Sequence, residues 1–383
     1  MAIPKFKEME RAYGFDEVAL VPGDTTINPD QTNTDFKIGN FTFSIPILAA
    51  AMDAAVDPNF AILMHKFGGL AVLNLDGVQA RYKKPEEILV QIIQAPDTEV
   101  TSLLQKIYTQ PIKEELIGKR IQTIKRAGAT CAVSLIPANT KQLAPVAKEA
   151  GADILVIQST VTTARHISKS YRGLIFSELC QTVGLPIIVG NCVTYSAALE
   201  LMRTGIDGIL VGVGPGAACT TREVLGVGVP QITATMDCAA ARETHFKETG
   251  KYVAVITDGG IRTGSDLCKA FASGADAVML GSIMAQAAEA PGKGYHWGMS
   301  HPHPTLPRGT RIKAGIRAPL KQLLFGPTSA TDGTENFVGA LRTAMGVCGA
   351  LTIKDMHKVK MVISPAIKTE GKYFQAMQGM RSG

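Results

Sequence analysis

Eight short, continuously apolar runs recur along the chain, and longer segments with mixed apolar and polar residues separate them. The runs lie at residues 45–52, 70–75, 131–137, 154–160, 186–192, 208–214, 253–260 and 277–283. Short strands that are apolar throughout, rather than at every second position, are typical of a parallel sheet covered on both faces. The pattern therefore predicts eight buried, parallel strands.

Helices fit between most pairs of predicted strands. Residues 194–203 begin with a threonine cap, and residues 265–272 begin with the serine cap Ser265. One sequence motif recurs four times: a helix end with a glycine at its C′ position and a short turn into the next strand. It lies at residues 126–130, 149–153, 203–207 and 272–276. Eight strands alternating with helices predict an α/β fold, a (β/α)8 TIM barrel. A doubly wound sheet is the alternative, because periodicity cannot show whether a sheet closes.

Two segments exceed this repeat. Residues 76–127 are charged and helical in pattern, and they join the second predicted strand to the third. Residues 290–320 follow the eighth strand, are rich in Gly, Pro and His, and predict a mobile flap. The flap histidines His296, His301 and His303 lack a metal-ligand spacing, so we expect them to be solvated. We expect one catalytic domain over residues 1–383, with the flap inside it.

Composition narrows the class of protein. The chain has 383 residues, 46% of them hydrophobic, which is ample for a large core. The net charge of +6 is spread along the sequence, which disfavours nucleic acid and fits small anionic substrates. No signal-peptide or transmembrane-length run occurs, so we expect no membrane association. Seven cysteines without a CxxC spacing favour reduced thiols and a cytoplasmic location.

A glycine-rich loop follows the sixth predicted strand, at residues 212–222, and presents Cys219 near its end. Glycines let backbone groups crowd a ligand or an ion without Cβ atoms in the way. Loop amides and nearby cations stabilise a thiolate, so Cys219 is a candidate nucleophile. A buried structural cysteine after a strand is the alternative. The loop lacks the last glycine of GxGxxG and lies too late in the chain for a dinucleotide fingerprint.

Polar residues and glycines end several other strands. Asp258 and Gly260 follow the seventh strand, and Gly281 and Ser282 follow the eighth. Barrels often bind phosphate after these two strands, with help from a helix N-terminus, and Asp258 can accept hydrogen bonds from ribose hydroxyls. The alternative is that Asp258 caps a helix and the glycines only form turns. This pattern is shared by many phosphate-binding barrels, including flavin enzymes.

Three further strand ends carry candidate residues. Asn191 ends the fifth strand, and residues 158–160, Gln158, Ser159 and Thr160, end the fourth. They can face the same mouth, or serve as a turn asparagine and a capping serine. Met52 ends the first strand and can cover a base, although a core methionine is the commoner explanation.

Together these motifs resemble those of the IMP dehydrogenase / GMP reductase family, over essentially the whole chain. The matching segments are residues 13–16, 21–23, 52–53, 190–191, 214–216, 219–222, 226–231, 258–262, 281–282 and 298–299. The resemblance implies a homotetramer, with an octamer as the alternative. Most dehydrogenases of the family insert CBS domains after the second strand and helix. About fifty residues occupy that place here, which implies a form without them.

The resemblance also implies a reaction. Cys219 attacks C2 of the purine. In a dehydrogenase, hydride passes from IMP to NAD⁺, and water then hydrolyses the thioimidate to XMP. In a reductase, ammonia leaves GMP and NADPH supplies the hydride, which gives IMP.

Residue roles follow from the same resemblance. Those implied to hold the nucleotide are Met52, Asn191, Asp258, Gly260, Gly281, Ser282, Gly298 and Met299. Those implied on the nicotinamide side are Gln158, Ser159, Thr160, Gly212 and Gly214. The carbonyls of Gly214, Gly216 and Cys219 are similar to a potassium site, which Glu370 and Gly371 of a neighbouring subunit would complete.

Several positions depart from the family pattern. Ala217 replaces a phosphate-binding serine, and Gln158 replaces an acidic residue at the end of strand four. The flap lacks the Arg-Tyr pair of the dehydrogenases, while Arg308 stands where the reductase glutamate aligns. The spelling of residues 297–300 leans towards the reductases. Since an arginine retains a water-activating group and the glutamate for ammonia departure is missing, we expect an IMP dehydrogenase in which Arg308 and Thr221 assist hydrolysis. GMP reductase is the alternative.

Overall fold

Eight parallel strands close into a barrel in the computed structural model, which describes residues 9–167, 173–298 and 311–364. The strands, numbered in chain order, are β1 (Ile47–Ala49), β2 (Leu70–Asn74), β3 (Ala132–Leu135), β4 (Ile154–Gln158), β5 (Ile187–Cys192), β6 (Gly208–Val211), β7 (Ala254–Asp258) and β8 (Ala277–Leu280). Closure is made by β8 against β1, where Val278 lies opposite Ile47. The predicted barrel is confirmed, and the doubly wound alternative is wrong.

Helices surround the barrel and extend beyond it. They are α1 (Pro58–Lys66), α2 (Val78–Arg81), α3 (Pro85–Gln94), α4 (Val100–Tyr108), α5 (Glu114–Arg126), α6 (Pro137–Glu149), α7 (Phe176–Val183), α8 (Tyr195–Met202), α9 (Thr221–Leu225), α10 (Gln231–Thr249), α11 (Gly264–Ala272), α12 (Ser282–Ala285), α13 (Leu320–Phe325), α14 (Phe337–Cys348) and α15 (Ile353–Met356). Helices α2–α5 occupy the predicted helical segment between β2 and β3, where the family's CBS domains would be inserted. In the described part of the chain, no helix combines the length and the apolar character that crossing a bilayer requires.

Short β pairs lie outside the barrel. Strand Val18–Leu20 pairs with Met361–Ile363, strand Phe36–Ile38 with Phe41–Phe43, and strand Tyr295–His296 with Ile312–Lys313. Each of these pairs is antiparallel. The last pair joins the two described parts of the predicted flap.

The sequence predicts some ends of helices and strands correctly and others wrongly. Thr194 caps α8 as predicted, through a hydrogen bond from the Ala197 amide. The predicted cap Ser265 is wrong, because the chain enters α11 earlier and Thr263 accepts the hydrogen bond from the Asp266 amide. The predicted eighth strand is too long, since β8 ends at Leu280 and Ser282 begins α12.

The repeated helix-to-strand motif has one conformational cause. Its glycines adopt left-handed backbone angles, with φ of 74° at Gly128, 99° at Gly151, 97° at Gly205 and 107° at Gly274. Residues with a Cβ rarely take this conformation, so glycine ends the helix and turns the chain into the next strand.

The hydrophobic core has three parts. Side chains such as Leu48, Val156 and Met279 fill the barrel interior together with the Phe36–Ile38 hairpin. A larger cluster lies between the strands and the helices. A third cluster joins α2, α3 and α4 to Trp297, just before the gap in the described flap. The helices between β2 and β3 therefore support the chain that leaves β8.

Candidate active site

A cavity of about 600 Å³ opens at the carboxyl ends of the barrel strands. It is lined by every described residue that the sequence predicted for the site: Met52, Gln158, Ser159, Thr160, Asn191, Gly212, Gly214, Gly216, Cys219, Thr221, Asp258, Gly260, Gly281, Ser282 and Gly298. The predicted residues Met299, Arg308, Glu370 and Gly371 lie outside the described residues, as do His301 and His303. Strand ends that are far apart in the sequence thus meet at one mouth.

Cys219 lies at the end of the glycine-rich loop that follows β6. Its Sγ is 3.1 Å from Oγ1 of Thr221, the buried first residue of α9. Its amide donates to the carbonyl of Gly216 at 3.0 Å, which closes a tight turn before the cysteine. The thiol therefore faces the cavity beside a hydroxyl that can exchange a proton with it or with a bound water.

Arg222 holds the loop from behind. Its Nε donates to the carbonyl of Val213 at 3.2 Å, and its Nη2 donates to the carbonyl of Val229 at 2.8 Å. A Cβ atom on Gly214 would lie 2.5 Å from Cγ of Arg222. The arginine side chain thus fills the space that the glycine leaves and joins the two ends of the loop.

Gly212 brings the loop against β7. Its φ is 150°, and a Cβ atom there would lie 2.2 Å from the carbonyl oxygen of Asp258. Gln231, the first residue of α10, donates its side-chain amide to the carbonyl of Val211 at 2.6 Å. The backbones of β6 and β7 therefore approach closely where the reactive loop begins.

Asp258 is the centre of a hydrogen-bonded set that faces the cavity. Its Oδ2 accepts from Nδ2 of Asn191 at 2.8 Å and from Nε2 of Gln158 at 2.9 Å. Nε2 of Gln158 also donates to Oδ1 of Asn191 at 3.0 Å. Burial raises the pKa of Asp258 to about 6, although both hydrogen bonds oppose the rise. Asp258 does not cap α11, since Thr263 does, so the capping alternative is wrong.

Gln158, the last residue of β4, and Ser159 differ in whether their side-chain polar atoms have hydrogen-bond partners. Oε1 of Gln158 is buried and has no partner among the described residues. Ser159 donates its hydroxyl to the carbonyl of Val161 at 2.9 Å and lies 2.8 Å from Oγ1 of Thr162. The Ser159 hydroxyl thus stabilises its own turn, whereas Oε1 of Gln158 is a buried acceptor without a hydrogen bond among the described residues.

Glycines after β7 and β8 expose backbone to the same space. Gly260 has a φ of 78°, and its Cβ position lies 3.1 Å from Pro215 of the cysteine loop. A Cβ atom on Gly281 would lie 2.7 Å from Sδ of Met52. Met52 lines the cavity and also packs against the core, so both sequence interpretations of this methionine hold.

The chain beyond β8 supplies lining residues that the sequence did not indicate. They are Gln286, His296, Arg317 and Thr334. The expectation that His296 is solvated is wrong, because its side chain is 1% exposed. The strand that contains His296 pairs with Ile312–Lys313. No local sequence pattern near residue 296 predicts that pairing.

Trp297 anchors this part of the chain. Its Nε1 donates to the hydroxyl of Tyr108 at 2.7 Å, and that hydroxyl donates to Oδ2 of Asp53 at 2.6 Å. The amide of Val78 also donates to Oδ2 of Asp53, at 3.0 Å. Burial raises the pKa of Asp53 to about 6. A buried chain of hydrogen bonds therefore ties the start of the predicted flap to the residue after Met52.

The cysteines and the possible metal ligands were located among the described residues. All seven cysteines of the sequence are described, and none of them forms a disulfide. Within the described ranges, no group of three or more His, Cys, Asp and Glu residues could hold a metal ion. The predicted potassium site uses backbone carbonyls instead and stays a prediction.

Comparisons with known proteins agree with this geometry. The family model described as IMP dehydrogenase / GMP reductase domain matches residues 12–300. An uncharacterized oxidoreductase of Mycobacterium tuberculosis is 38% identical over 92% of this chain and 96% of its own length. The inosine-5'-monophosphate dehydrogenase of Methanocaldococcus jannaschii is 28% identical over 97% of this chain and 96% of its own length. A crystal structure of an IMP dehydrogenase/GMP reductase-like protein from Corynebacterium glutamicum superposes with a TM-score of 0.89 at 36% identity, covering 95% of this chain and 97% of that one.

Proposed function

The chain belongs to the IMP dehydrogenase / GMP reductase family, and from this premise we propose that it oxidises IMP to XMP with NAD⁺. Both activities in the family's name are oxidoreductions of a purine nucleotide at C2. One observation carries the proposal: Sγ of Cys219 lies 3.1 Å from Oγ1 of Thr221 in the cavity that Asp258 and Gly281 also line.

The order of the strands supports a position for the nucleotide. Strands β6, β7 and β8 are consecutive around the closed barrel. Cys219 lies after β6, Asp258 is the last residue of β7, and Ser282 lies after β8. A purine with C2 at Cys219 has its ribose at Asp258 and Asn191, and its phosphate at the backbone of Gly281 and Ser282. Met52 lies against Gly281 and would cover the nucleotide from the side of β1.

In the proposed reaction, Sγ of Cys219 forms a bond to C2, and C2 then loses its hydride, which leaves a thioimidate. Water adds to C2, the carbon–sulfur bond breaks, and XMP and the free thiol are released. Thr221 is close enough to Cys219 to take part in proton transfer in either step. A positioned proton-transfer group contributes about 10²–10⁴-fold in rate.

The residues after β4 and β6 fit a nicotinamide. Oε1 of Gln158 is a buried acceptor without a partner among the described residues, which suits the N–H of a carboxamide. Gly212 and Gly214 line the cavity where the cysteine loop begins. When bound, the dinucleotide would accept the hydride. Gln158, Ser159 and Thr160 would then border it, with the two glycines.

We propose that Arg308, with Thr221, activates the water that hydrolyses the thioimidate. Arg308 lies in the part of the chain outside the described residues. The Arg308→Ala variant should keep the hydride-transfer burst measurable while steady-state XMP release falls by about 10²-fold or more. Equal steady-state rates for the variant and the wild type would contradict this role.

Assembly, ion and location complete the proposal. The carbonyls of Gly214, Gly216 and Cys219 would bind K⁺, with Glu370 and Gly371 of a neighbouring subunit, in a homotetramer or an octamer. Oxygen ligands suit such a cation, although Gly216 already accepts one hydrogen bond from Cys219. We also propose a single catalytic barrel over residues 1–383, acting in the cytoplasm.

GMP reductase is the second candidate. The residue types at Trp297 and Gly298, which resemble those of the reductases, favour it. Departure of ammonia needs a proton donor beside C2. Among the described residues that line the cavity, Asp258 carries the one side-chain carboxyl group, and it is the last residue of β7, on the proposed ribose side. Residues 299–310 contain no Asp or Glu in the sequence. This distribution of acids supports the dehydrogenase over the reductase.

Two assays test the choice. IMP with NAD⁺ and GMP with NADPH should be compared, each with K⁺ and with Na⁺. We expect turnover in the first pair and a higher rate with K⁺, and turnover only with GMP and NADPH would reverse the choice. Mass spectrometry with IMP and NAD⁺ should detect the adduct on Cys219 and none on Cys219→Ala. The purified protein should show no flavin absorbance, and a yellow protein would indicate a different class of barrel enzyme.

A further inference from the structure

Three side chains from three strands form a closed triangle at the mouth of the barrel. Gln158 ends β4, Asn191 lies in β5, and Asp258 ends β7. A hydrogen bond of 2.8–3.0 Å joins each pair of these side chains. Around the barrel, β6 separates β7 from β5, and β4 lies one strand further away. The triangle therefore joins side chains whose strands are not all neighbours.

The chemistry of the three groups fixes how both amides are turned. An ionised carboxylate only accepts hydrogen bonds, so Gln158 and Asn191 must each present an NH₂ group to Asp258. Gln158 uses its two N–H groups on Oδ1 of Asn191 and Oδ2 of Asp258. Its own Oε1 is left buried without a partner among the described residues. Since an unpaired buried acceptor is unfavourable, the two donated hydrogen bonds are what hold this orientation.

The triangle leaves one oxygen of Asp258 for a ligand. Both amides donate to Oδ2, and no hydrogen bond from the described residues reaches Oδ1. Asp258 lines the cavity, so Oδ1 can accept a hydrogen bond from a hydroxyl group bound there. The direction of Oδ1 depends on how firmly the two amides hold Oδ2.

We propose that Gln158 is a positioning residue for the nucleoside: its Nε2 holds Asp258 and Asn191 in the orientation that receives the ribose hydroxyls. The inference rests on the proposed function for the identity of the ligand as a purine nucleotide. Oε1 of the same side chain stays available to the nicotinamide. An ionised carboxylate at position 158 could not take this part, because it has no N–H to donate and would repel Asp258.

The charges around Asp258 make its hydrogen bonds decisive. The titratable side chains that share the cavity with it are Cys219 after β6, Arg262 after β7, and His296 and Arg317 after β8. Both arginines are paired with carboxylates of other residues, and Asp258 makes no ion pair within the described chain. Burial raises the pKa of Asp258 to about 6, and the hydrogen bonds from Asn191 and Gln158 lower it. Loss of the Gln158 donor should therefore raise this pKa further.

The test compares inosine with 2′,3′-dideoxyinosine, which differs only in the ribose hydroxyls. The two dissociation constants should be measured by calorimetry from pH 5 to pH 8, because their ratio cancels any titration of the base. In the wild type, the preference for inosine should grow as the pH rises through about 6. Gln158→Met keeps the length of the side chain and removes the donor. We expect it to raise the midpoint by about one pH unit and to weaken inosine about tenfold at pH 7.

Gln158→Glu should have the larger effect. It places two carboxyl groups within hydrogen-bond distance, and such a pair does not readily carry two charges. The midpoint should rise by about two pH units or more, while dideoxyinosine changes less than about threefold in both variants.

Gln322 provides the matched control. Its Nε2 also donates to a carboxylate, Oε2 of Glu335 at 3.0 Å, and it does not line the cavity. Gln322→Met should leave the midpoint of inosine binding unchanged. The proposal would be overturned by an unchanged midpoint in both Gln158 variants, by an equal loss of the two ligands, or by a wild type without a preference for inosine.

A second measurement uses the wild-type protein. With glutamine side chains labelled with nitrogen-15, the Nε2 resonance of Gln158, assigned by its absence in Gln158→Met or Gln158→Glu, should titrate with a midpoint of about 6. It should shift further on adding inosine and stay in place on adding dideoxyinosine, and a resonance that ignores both pH and inosine would contradict the role. All these readouts measure nucleoside binding, so they remain valid if IMP is not oxidised. Conversely, IMP oxidation together with an unmoved midpoint in the Gln158 variants would refute this inference alone.

Discussion

The loop after β6 and the chain after β8 line the same cavity but are built in different ways. The first is shaped by its backbone: Gly212 lies against the carbonyl of Asp258, and Gly214 lies against the stem of Arg222. The second is held by side chains, through the hydrogen bonds from Trp297 to Tyr108 and from Tyr108 to Asp53.

This difference decides what can be learned from each region by sequence. A backbone approach demands glycine, so it appears as glycines at fixed positions around Cys219. A side-chain network uses residues that have many other uses, and its members lie far apart in the chain. Tyr108 and Trp297 are separated by 189 positions, and neither has a local feature that marks the contact.

Gly212→Ala tests the backbone-built region and should have the largest effect. Its Cβ atom would lie 2.2 Å from the Asp258 carbonyl, at a φ of 150°. We expect the free energy of unfolding to fall by about 3 kcal/mol, because strain and overpacking add. IMP turnover should fall by about a hundredfold, as displacement of the loop moves Cys219. Denaturant unfolding and steady-state kinetics measure the two effects.

Gly216→Ala is the control within the same loop. Among the described residues, apart from its two chain neighbours, none has an atom within 4 Å of the Gly216 Cβ position. The free energy of unfolding should stay within about 0.5 kcal/mol of the wild type. Equal destabilisation by the two substitutions would show that the loop is generally intolerant, and that close approach at Gly212 is not the cause.

The eight parallel strands followed from the sequence for a physical reason, whereas their closure into a barrel came only with the structure. Strands buried on both faces must be apolar throughout, and turns from a helix into a strand use left-handed glycines, such as Gly128 and Gly274. The site residues at strand ends followed too, since parallel strands bring their carboxyl ends to one mouth. The helix caps were harder to predict: Ser265 was the predicted cap of α11, and Thr263 is the cap in the structure.

What the sequence could not predict depends on pairing between distant segments. His296 is buried within a two-residue strand, Tyr295–His296, that pairs with Ile312–Lys313 across the undescribed residues 299–310. A stretch rich in Gly, Pro and His indicates a surface loop on composition alone, and burial by a two-residue strand leaves no periodicity to detect. Gln158 was assigned to the nicotinamide side, and its hydrogen bonds to Asn191 and Asp258 came only with the structure.

Asp258→Asn tests the strand that lies between the two regions. Burial raises the pKa of Asp258 from 3.8 to about 6, so the ionised acceptor forms only as the pH rises through about 6. Inosine, which has the ribose and lacks the phosphate, should therefore bind more tightly to the wild type at pH 7.5 than at pH 5. Asp258→Asn should weaken binding by about tenfold at pH 7.5 and remove most of the pH dependence.

Stability should change in the opposite sense. Below pH 3.8 the carboxyl group is protonated in both states, and as the pH rises through about 6 the folded protein loses the stability that this proton provides. Asp258→Asn should therefore unfold at a higher temperature than the wild type at pH 8. Asp53→Asn is the control, because the Asp53 pKa is also about 6 and Asp53 does not line the cavity. If Asp53→Asn removed the pH dependence of inosine binding, the assignment to Asp258 would fail.

Tyr108→Phe tests the side-chain-built region and should have the smallest effect. It removes the acceptor of Trp297 and one donor to Asp53, and so should lower the free energy of unfolding by about 1 kcal/mol. Trp297 is the one tryptophan of the sequence, so the emission spectrum reports directly on its surroundings. Tyr82→Phe is the matched control, since the Tyr82 hydroxyl donates to the carbonyl of Ile107 at 3.0 Å and leaves Trp297 untouched. We expect a shifted emission spectrum in Tyr108→Phe and an unshifted one in Tyr82→Phe. Identical spectra would mean that hydrophobic packing alone, in the cluster with α2, α3 and α4, holds Trp297.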